Sequence, residues 1–425
     1  MTTQIAPPDL LRLLFDTAVE AAMPTHRIAP HLPPKPKGKA VVVGVGKSAA
    51  AMAKAVEDSW EGELEGLVIT RYGHRVPTSK IEVIEAGHPV PDLNGVQAAQ
   101  RILDRVIPLT EDDLVLCLIS GGGTALFSLP PEGVTLADLA DISRQLLKSG
   151  ANITEMNAVR KSLSRSSGGR LAAAAYPAQV VSLIISDVPG DDLTVIASGP
   201  TVGDTVTAQV ALDILQRYGV KVAAHIVDYL ERDPNPTVQP DDPRLQSTQN
   251  ILIATPQQSL AAAAQAAQSH GYTPLILGDS IEGEAKEVGI VHAGIAKQVV
   301  RHHQPLSPPC VILSGGETTV TVAGPAGQGG RNSEFLLSLA VALEGMSGVC
   351  AIACDTDGID GSEDNAGALI TPDTLSQAKR QGLTASQYLA AHDSYRFFDA
   401  VEALVMTGPT LTNVNDFRAI LIEPE

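Results

Sequence analysis

The chain has 425 residues, too many for one ordinary core, which implies two domains. Hydrophobic residues make up 44% and charged residues 18%, a balance that suits a soluble globular protein. Thirty basic against 48 acidic residues give a net charge of −18, which repels nucleic acid and anionic membrane, so neither is an expected partner.

In chain order, residues 8–23 have helical spacing, with Leu10, Leu11, Leu14, Phe15 and Val19 on one side. This start lacks the basic segment and apolar core of a signal peptide. HLPPKPKGK then breaks the helix ahead of a strand at 40–45. Strand-like runs at 66–70, 81–87, 113–120 and 179–186 follow, and Ala-rich helical stretches at 48–58, 94–106, 135–148, 154–163 and 168–175 separate several of them. Aromatics are only 3%, so the cores must be built from Ala, Val, Leu and Ile. Both features predict a mostly parallel sheet covered on both faces. The Pro- and Asp-rich stretch 231–247 is the best domain boundary in the chain.

A second alternating series begins with strands at 250–255 and 273–278 and helices at 256–269 and 284–303. Strands at 309–316 and 318–324, a helix from Asn332 to Glu344, a strand within 348–361 and a final apolar strand complete it. TTVTV reads as one arm of a hairpin with VILSG, which makes this sheet mixed. The expected fold class is therefore α/β with two α/β domains. The first, over 1–235, is a Rossmann-like three-layer, mostly parallel sheet; the second, over 249–425, is smaller with a mixed sheet. No apolar run reaches membrane-span length. Cys117, Cys310, Cys350 and Cys354 lie in apolar runs with no zinc-type spacing, as buried free thiols of a cytoplasmic protein would. His270, His292, His302 and His303 read as surface residues on helices or at their ends.

VVVGVGKSAAAMA, from Val41, carries Gly44, Gly46 and Ala49 in a G-x-G-x-x-A pattern. A P-loop would need glycine five residues before Gly46, where Val41 stands, so no standard phosphate cradle forms. A dinucleotide site expects an acidic residue after the second strand, but that strand ends in Thr70-Arg71-Tyr72. The third reading is a helix N-terminus whose free N–H groups and dipole favour anions, with Lys47 and Ser48 at that site. Its bland alternative is an exposed first-turn lysine.

Ser120, Gly121, Gly122 and Gly123 follow a strand end, where open α/β sheets place ligands and glycines expose backbone N–H groups. ISDVPGDDLTVIASGPTVGD brings Asp187, Asp191 and Asp192 within a few residues, then Ser198, Gly199 and Thr201. Clustered carboxylates need a cation or basic partner, and Mg2+ with a nucleotide phosphate is the economical one; a solvated acidic turn is the alternative. LSGGETTV offers a second glycine loop, Gly315 and Gly316, with Glu317. Arg331 and Asn332 open a helix after a glycine-rich loop, and arginine there opposes the dipole unless it meets an anion. CDTDGIDG, with Asp355, Asp357 and Asp360, fails the EF-hand pattern and reads as a strand-end site or a solvated loop. His88 lies in a Pro-stiffened loop, and no nucleophile order supports a hydrolase triad.

Taken together, these motifs resemble the glycerate 2-kinase family, whose C-terminal domain carries the MOFRL motif. The resemblance rests on GVGKSAAAMA, GHPVPD, LISGGGTAL, ISDVPGDDLTVIASGPTVGD, LSGGETTVTV, GQGGRNSEFLLSLA, DTDGIDG and TGPTLTNVND, in that order over nearly the whole chain. One departure is Leu411, where the family pattern leads one to expect a small residue. The resemblance implies an active site in the cleft between two domains. It implies transfer of a phosphoryl group from ATP to the 2-hydroxyl of D-glycerate, with Mg2+ as metal. By motif position Lys47 and Arg331 would supply positive charge, one from each domain, with Asp187 beside them and Asp191 and Asp192 toward the metal. Gly46, Ser48, His88, Ser120 to Gly123, Ser198, Gly199, Thr201, Gly315, Gly316, Glu317, Asn332, Glu334 and Asp357 would bind substrate or nucleotide. The proton acceptor stays open between a carboxylate and His88, and a homodimer stays open as the assembly. Two rivals remain: an NAD(P)H-dependent hydroxypyruvate or tartronate semialdehyde reductase, and a non-catalytic sensor of small anions.

Overall fold

The computed structural model describes residues 5–233, 236–322, 324 and 326–424. The expected domain limits at residues 1, 235 and 425 fall outside the described residues. Two sheets of six strands organise the chain.

The first sheet holds β1 (Ala40–Val45), β2 (Glu65–Arg71), β3 (Ile81–Ala86), β4 (Leu114–Ile119), β5 (Gln179–Ile185) and β6 (Thr248–Ala254), in the order β3-β2-β1-β4-β5-β6. The pairings of β1 with β2 and β4, β2 with β3, and β4 with β5 are all parallel. Every residue of β1 and β4 is buried, so their continuous apolar runs suit strands covered on both faces. From β1 the chain builds outward to β2 and β3, then returns to lay β4 on the other flank. The turns after β1 and β4 therefore lie at the topological switch point, where such sheets hold ligands.

The second sheet holds β7 (Thr273–Glu284), β8 (Cys310–Thr319), β9 (Val349–Asp355), β10 (Gly367–Ile370), β11 (Leu404–Val405) and β12 (Asp416–Ile422), in the order β11-β10-β9-β12-β8-β7. It is mixed, as expected, but not through a hairpin of TTVTV with VILSG. Thr318 and Thr319 continue β8, and residue 323 of the expected strand lies outside the described residues. The antiparallel partner of β8 is β12, which also pairs antiparallel with β9, while β7 runs parallel to β8. The Thr318 amide and hydroxyl both donate to Asp416 at the start of β12, which carries the chain straight on.

The chain divides into two compact units, and the division is not the simple one read from the sequence. Of residues 250–255, expected to open the second domain, all but Thr255 belong to β6 on the edge of the first sheet. Asn250 there accepts a hydrogen bond from Thr201, which in turn accepts from Ser182 of β5. The first unit is Pro24–Ser186 with Asp191–Ile253; the second takes Asp187–Gly190, everything described from Ala254 onward, and the residues before Pro24. The first helix, Pro7–Ala21, thus belongs to the second unit. Its Leu10, Leu11, Leu14, Phe15 and Ala18 are buried with Leu260, Ala263 and Phe417, and the Phe15 ring centroid is 5.9 Å from that of Phe417.

All four cysteines are buried and free, and burial pushes the Cys117 thiol up to about 12. His292 departs from the surface reading. It is 3% exposed, with Nε2 3.0 Å from Ser314 Oγ and its ring edge-on to Phe335. Among the described residues no helix is long and apolar enough to cross a membrane.

Candidate functional site

The site residues read from the sequence fall into two groups, one in each unit. The first is built on the switch-point turns. β1 ends at Val45, and the chain bends at Gly46 with φ +129°, where an added Cβ would lie 2.2 Å from Ser120 Oγ. The Lys47 amide donates to the Gly121 carbonyl at 2.8 Å, and the Ser48 amide donates to Ser120 Oγ at 3.0 Å. From the end of β2 the Thr70 hydroxyl donates to the Lys47 carbonyl at 3.2 Å, with His74 Nδ1 3.3 Å from the same oxygen. The Lys47 backbone is clamped from two strands, which fixes where its side chain starts.

Gly122, with φ +78°, lies between two of the predicted residues. A Cβ there would meet the His88 ring at 3.0 Å and Lys47 Cγ at 3.3 Å. The structure thus brings together Lys47, His88 and the triple glycine. Ser48 precedes the helix Ala49–Ser59, yet its buried hydroxyl has no hydrogen-bond partner among the described residues. A buried orphan oxygen costs stability unless something else satisfies it.

Ser198 and Gly199 adjoin this group through Gly123, whose Cβ would lie 2.4 Å from that of Ala197, and through Thr124 Oγ1, 2.9 Å from Ser198 Oγ. Ala197 and Ser198 hold φ +49° and +62°, left-handed values that cost non-glycine residues about 1–3 kcal/mol each and concentrate at functional sites. Asp192 uses Oδ1 to accept from the Thr194 amide and hydroxyl, each at 2.8 Å. Asp191 has φ +56°. Thr201 commits its hydroxyl to the β5–β6 tie.

The second group centres on Arg331, the first residue of the helix Arg331–Leu343. Its Nε donates to Asp416 at 2.6 Å and its Nη1 to Glu317 at 3.1 Å. Its Nη2 donates to Asp355 and to Asn415, both at 2.9 Å. Burial works against this charge, but Asp416, Asp355 and Glu317 outweigh it and raise the guanidinium pKa further. These carboxylates also explain how arginine is tolerated at a helix N-terminus. The first turn's own N–H groups meet a protein carboxylate: Asp360 accepts from the Asn332 and Ser333 amides at 2.9 and 2.8 Å.

Asp187 joins this group through asparagines. Asn413 Nδ2 donates to Asp187 Oδ2 at 3.0 Å, and Asn415 Nδ2 donates to the Asp187 carbonyl at 2.7 Å. Asn332 and Glu334 are almost wholly buried, and Asn332 Oδ1 and Glu334 Oε1 have no partner among the described residues; the other Glu334 oxygen faces His392 Nδ1 at 2.9 Å. Asp357 is buried and accepts from the Ile359 amide. The glycine-loop reading of Gly315 and Gly316 needs correction. Both lie in β8, Gly315 opposite Phe417 and Gly316 between Asp416 and Ile281, so ladder pairing replaces an open loop.

Sequence reasoning assigned no role to Asp416 and Arg418. Arg418 is 1% exposed, donates to Asp416 at 2.5 Å and to the Gly315 carbonyl at 3.1 Å, and stacks 5.0 Å over Phe335. Burial lowers its pKa, while Arg331 and Arg418 together hold the buried Asp416 carboxyl below its usual range against desolvation. The missed signal was an opposite-charge pair two residues apart, on one face of an apolar strand.

Comparison with known proteins finds two family profiles along the chain. A profile described as a domain of unknown function, DUF4147, matches residues 10–231, and one described as the MOFRL family matches residues 310–416. A protein of Agrobacterium vitis provisionally named hydroxypyruvate reductase is 51% identical, covering 98% of this chain and 95% of its own. A D-glycerate 2-kinase of Thermotoga maritima is 41% identical, covering 98% of this chain and 99% of its own. The crystal structure of a glycerate kinase from Thermotoga maritima matches with a TM-score of 0.88 at 40% identity, covering 98% of this chain and 99% of that one.

Proposed function

The chain belongs to the glycerate 2-kinase family, and from that premise we propose that it transfers the γ-phosphoryl group of ATP to the 2-hydroxyl of D-glycerate, giving 2-phospho-D-glycerate and ADP. The observation that carries this reading is Lys47, clamped at the switch-point turn with His88 and Gly122 beside its stem.

Phosphoryl transfer needs positioning and cancellation of negative charge more than covalent catalysis. In this reading the Lys47 ammonium neutralises charge on the transferring group, and N–H groups of Gly121–Gly123 with the Ser48 hydroxyl bind phosphate oxygens. Arg331 is the second cation. Of its carboxylate partners, Glu317 has a side chain 48% exposed against 6% for Asp355 and 0% for Asp416, so an anionic substrate displaces Glu317 first. His88 is the proposed acceptor of the hydroxyl proton.

Mg2+ binds through one or two carboxylates together with substrate phosphates. Asp191 and Asp192 fit that demand: the two carboxylates are adjacent in the chain, and Asp192 Oδ2 has no protein hydrogen bond among the described residues. These two would hold the ion, which neutralises phosphate charge when bound. The four buried thiols support a reducing, cytoplasmic setting.

The Agrobacterium relative's name supports a reductase as second reading, as does G-x-G-x-x-A at the switch point. Against it, β2 ends in Arg71 rather than an acid. The test is incubation with D-glycerate, ATP and Mg2+, with phosphorus NMR to resolve 2- from 3-phosphoglycerate. We expect 2-phosphoglycerate, and a kcat lower by about two to three orders of magnitude in Lys47→Ala with the melting curve retained. Oxidation of NADH or NADPH by hydroxypyruvate, with no phosphorylated product, overturns the kinase reading.

A further inference from the structure

The first unit contains a cavity that the proposed reaction does not use. Its volume is about 290 Å3, and Arg165, Arg170 and Arg244 line it together with the apolar side chains of Leu103, Ile107 and Val238. Among the described residues no Asp or Glu lines it, in a chain whose net charge is −18.

Its place in the fold separates it from the switch-point turns. The helix Leu93–Val106 leaves the edge of the sheet where the strands end and runs back to the edge where they begin. Leu103 lies in the last turn of that helix and Ile107 just beyond it. Arg244 immediately precedes β6, and the helix of Arg170 immediately precedes β5. The cavity is therefore set toward the opposite edge from Lys47 and Gly122.

The three guanidinium groups are held from behind and keep donors to offer. Arg244 donates Nε and Nη2 to the two oxygens of Asp242 at 3.0 and 2.7 Å. Arg170 donates Nε to the Pro236 carbonyl at 2.8 Å and Nη2 to Asp233 at 3.2 Å. Arg165 has only a hydrogen bond to Gln100, at 3.2 Å, and no carboxylate partner among the described residues. Nη1 of Arg244, Nη1 of Arg170 and Nη2 of Arg165 have no protein hydrogen bond among the described residues. Planar forks fixed by a second partner match phosphate oxygens with little further ordering. The volume is near the lower limit for a small-molecule site, roughly 300 Å3, and among the described residues no aromatic side chain lines it for a base to stack on.

We propose that this cavity is a second anion site that takes a small organic phosphate, its phosphate on Arg165, Arg170 and Arg244 and its carbon body on Leu103, Ile107 and Val238. The test is site-resolved arginine modification of the full chain by phenylglyoxal, read by peptide mass spectrometry, at constant ionic strength. Glycerol 3-phosphate is the probe and inorganic phosphate its comparison. We expect modification of Arg165 and Arg244 to slow about fivefold when the probe stands about fourfold above its dissociation constant, with exposed Arg301 and Arg380 unaffected. The double variant Arg165→Gln, Arg244→Gln, both at exposed positions, should bind the probe at least about tenfold more weakly at this site by calorimetry, while Lys47→Ala leaves protection intact. Equal slowing at all four arginines, or none, overturns the site. Protection by inorganic phosphate as strong as by glycerol 3-phosphate overturns the organic ligand.

Discussion

Gly46 leaves almost no room at the turn that carries Lys47. A methyl group there would lie 2.2 Å from Ser120 Oγ and 2.4 Å from the Ser120 carbonyl, at a φ of +129° that side chains rarely adopt. Gly46→Ala should therefore cost more than about 2 kcal/mol in urea unfolding and part the turns after β1 and β4. Asp416 is a second sensitive position, because two arginines share it. Among the described residues Asp416→Asn leaves buried Arg418 without a carboxylate within salt-bridge range, and we expect a loss of about 3–5 kcal/mol by the same measurement. His292 predicts a pH dependence. Burial lowers its pKa from 6.5 to about 4, so the unfolded chain takes up this proton before the folded one does. The stabilisation from keeping the ring neutral is full above pH 6.5 and lost as pH falls toward 4. Roughly 3 kcal/mol is at stake, and His292→Gln should flatten the stability profile over that window.

Among the elements, the Pro7–Ala21 helix joins the second unit from far away in the chain. Phe15 is buried against Phe417, so Phe15→Ala should cost about 3–5 kcal/mol, seen as an earlier melting of the second sheet. Its apolar stripe was plain in the sequence, since spacing of Leu10, Leu11, Leu14 and Phe15 is a local property. Its partners were not, because nothing local records that it meets residues some 250 to 400 positions later. β1 and β4 were legible for the same local reason, as unbroken apolar runs. Gly315 and Gly316 misled because glycine in a sequence reads as a loop, whereas here it admits the close approach of β7: a Cβ at Gly316 would lie 2.2 Å from the Ile281 carbonyl. Lys47, His88 and Gly122 were found through motifs and do come together. Asp416 and Arg418 escaped because a charge pair in a buried strand has meaning only once the helix Arg331–Leu343 brings Arg331 to it. Leu411, the one departure from the family pattern, holds φ +67°, which explains why a small residue is expected there.

For the whole molecule, the two compact units are interleaved along the chain. Residues before Pro24 and the short piece Asp187–Gly190 complete a unit whose sheet begins only after Ala254. A chain lacking residues 1–23 should keep protected amides in β1 and β4 under hydrogen exchange and lose protection in β12. A synthetic peptide of those 23 residues should restore it. Protection of β12 in the shortened chain alone would show that the helix is dispensable. The same interleaving bears on synthesis. The ribosome releases the Pro7–Ala21 helix before the rest of its unit and must add about 400 further residues before its docking surface, which includes Phe417 of β12, is complete; at ordinary elongation rates that takes roughly 20–80 s. Throughout that interval five apolar side chains lack their final cover, so a newborn chain needs a temporary holder for this helix, and a chaperone that shields apolar segments should raise the yield of active protein most when translation is slow.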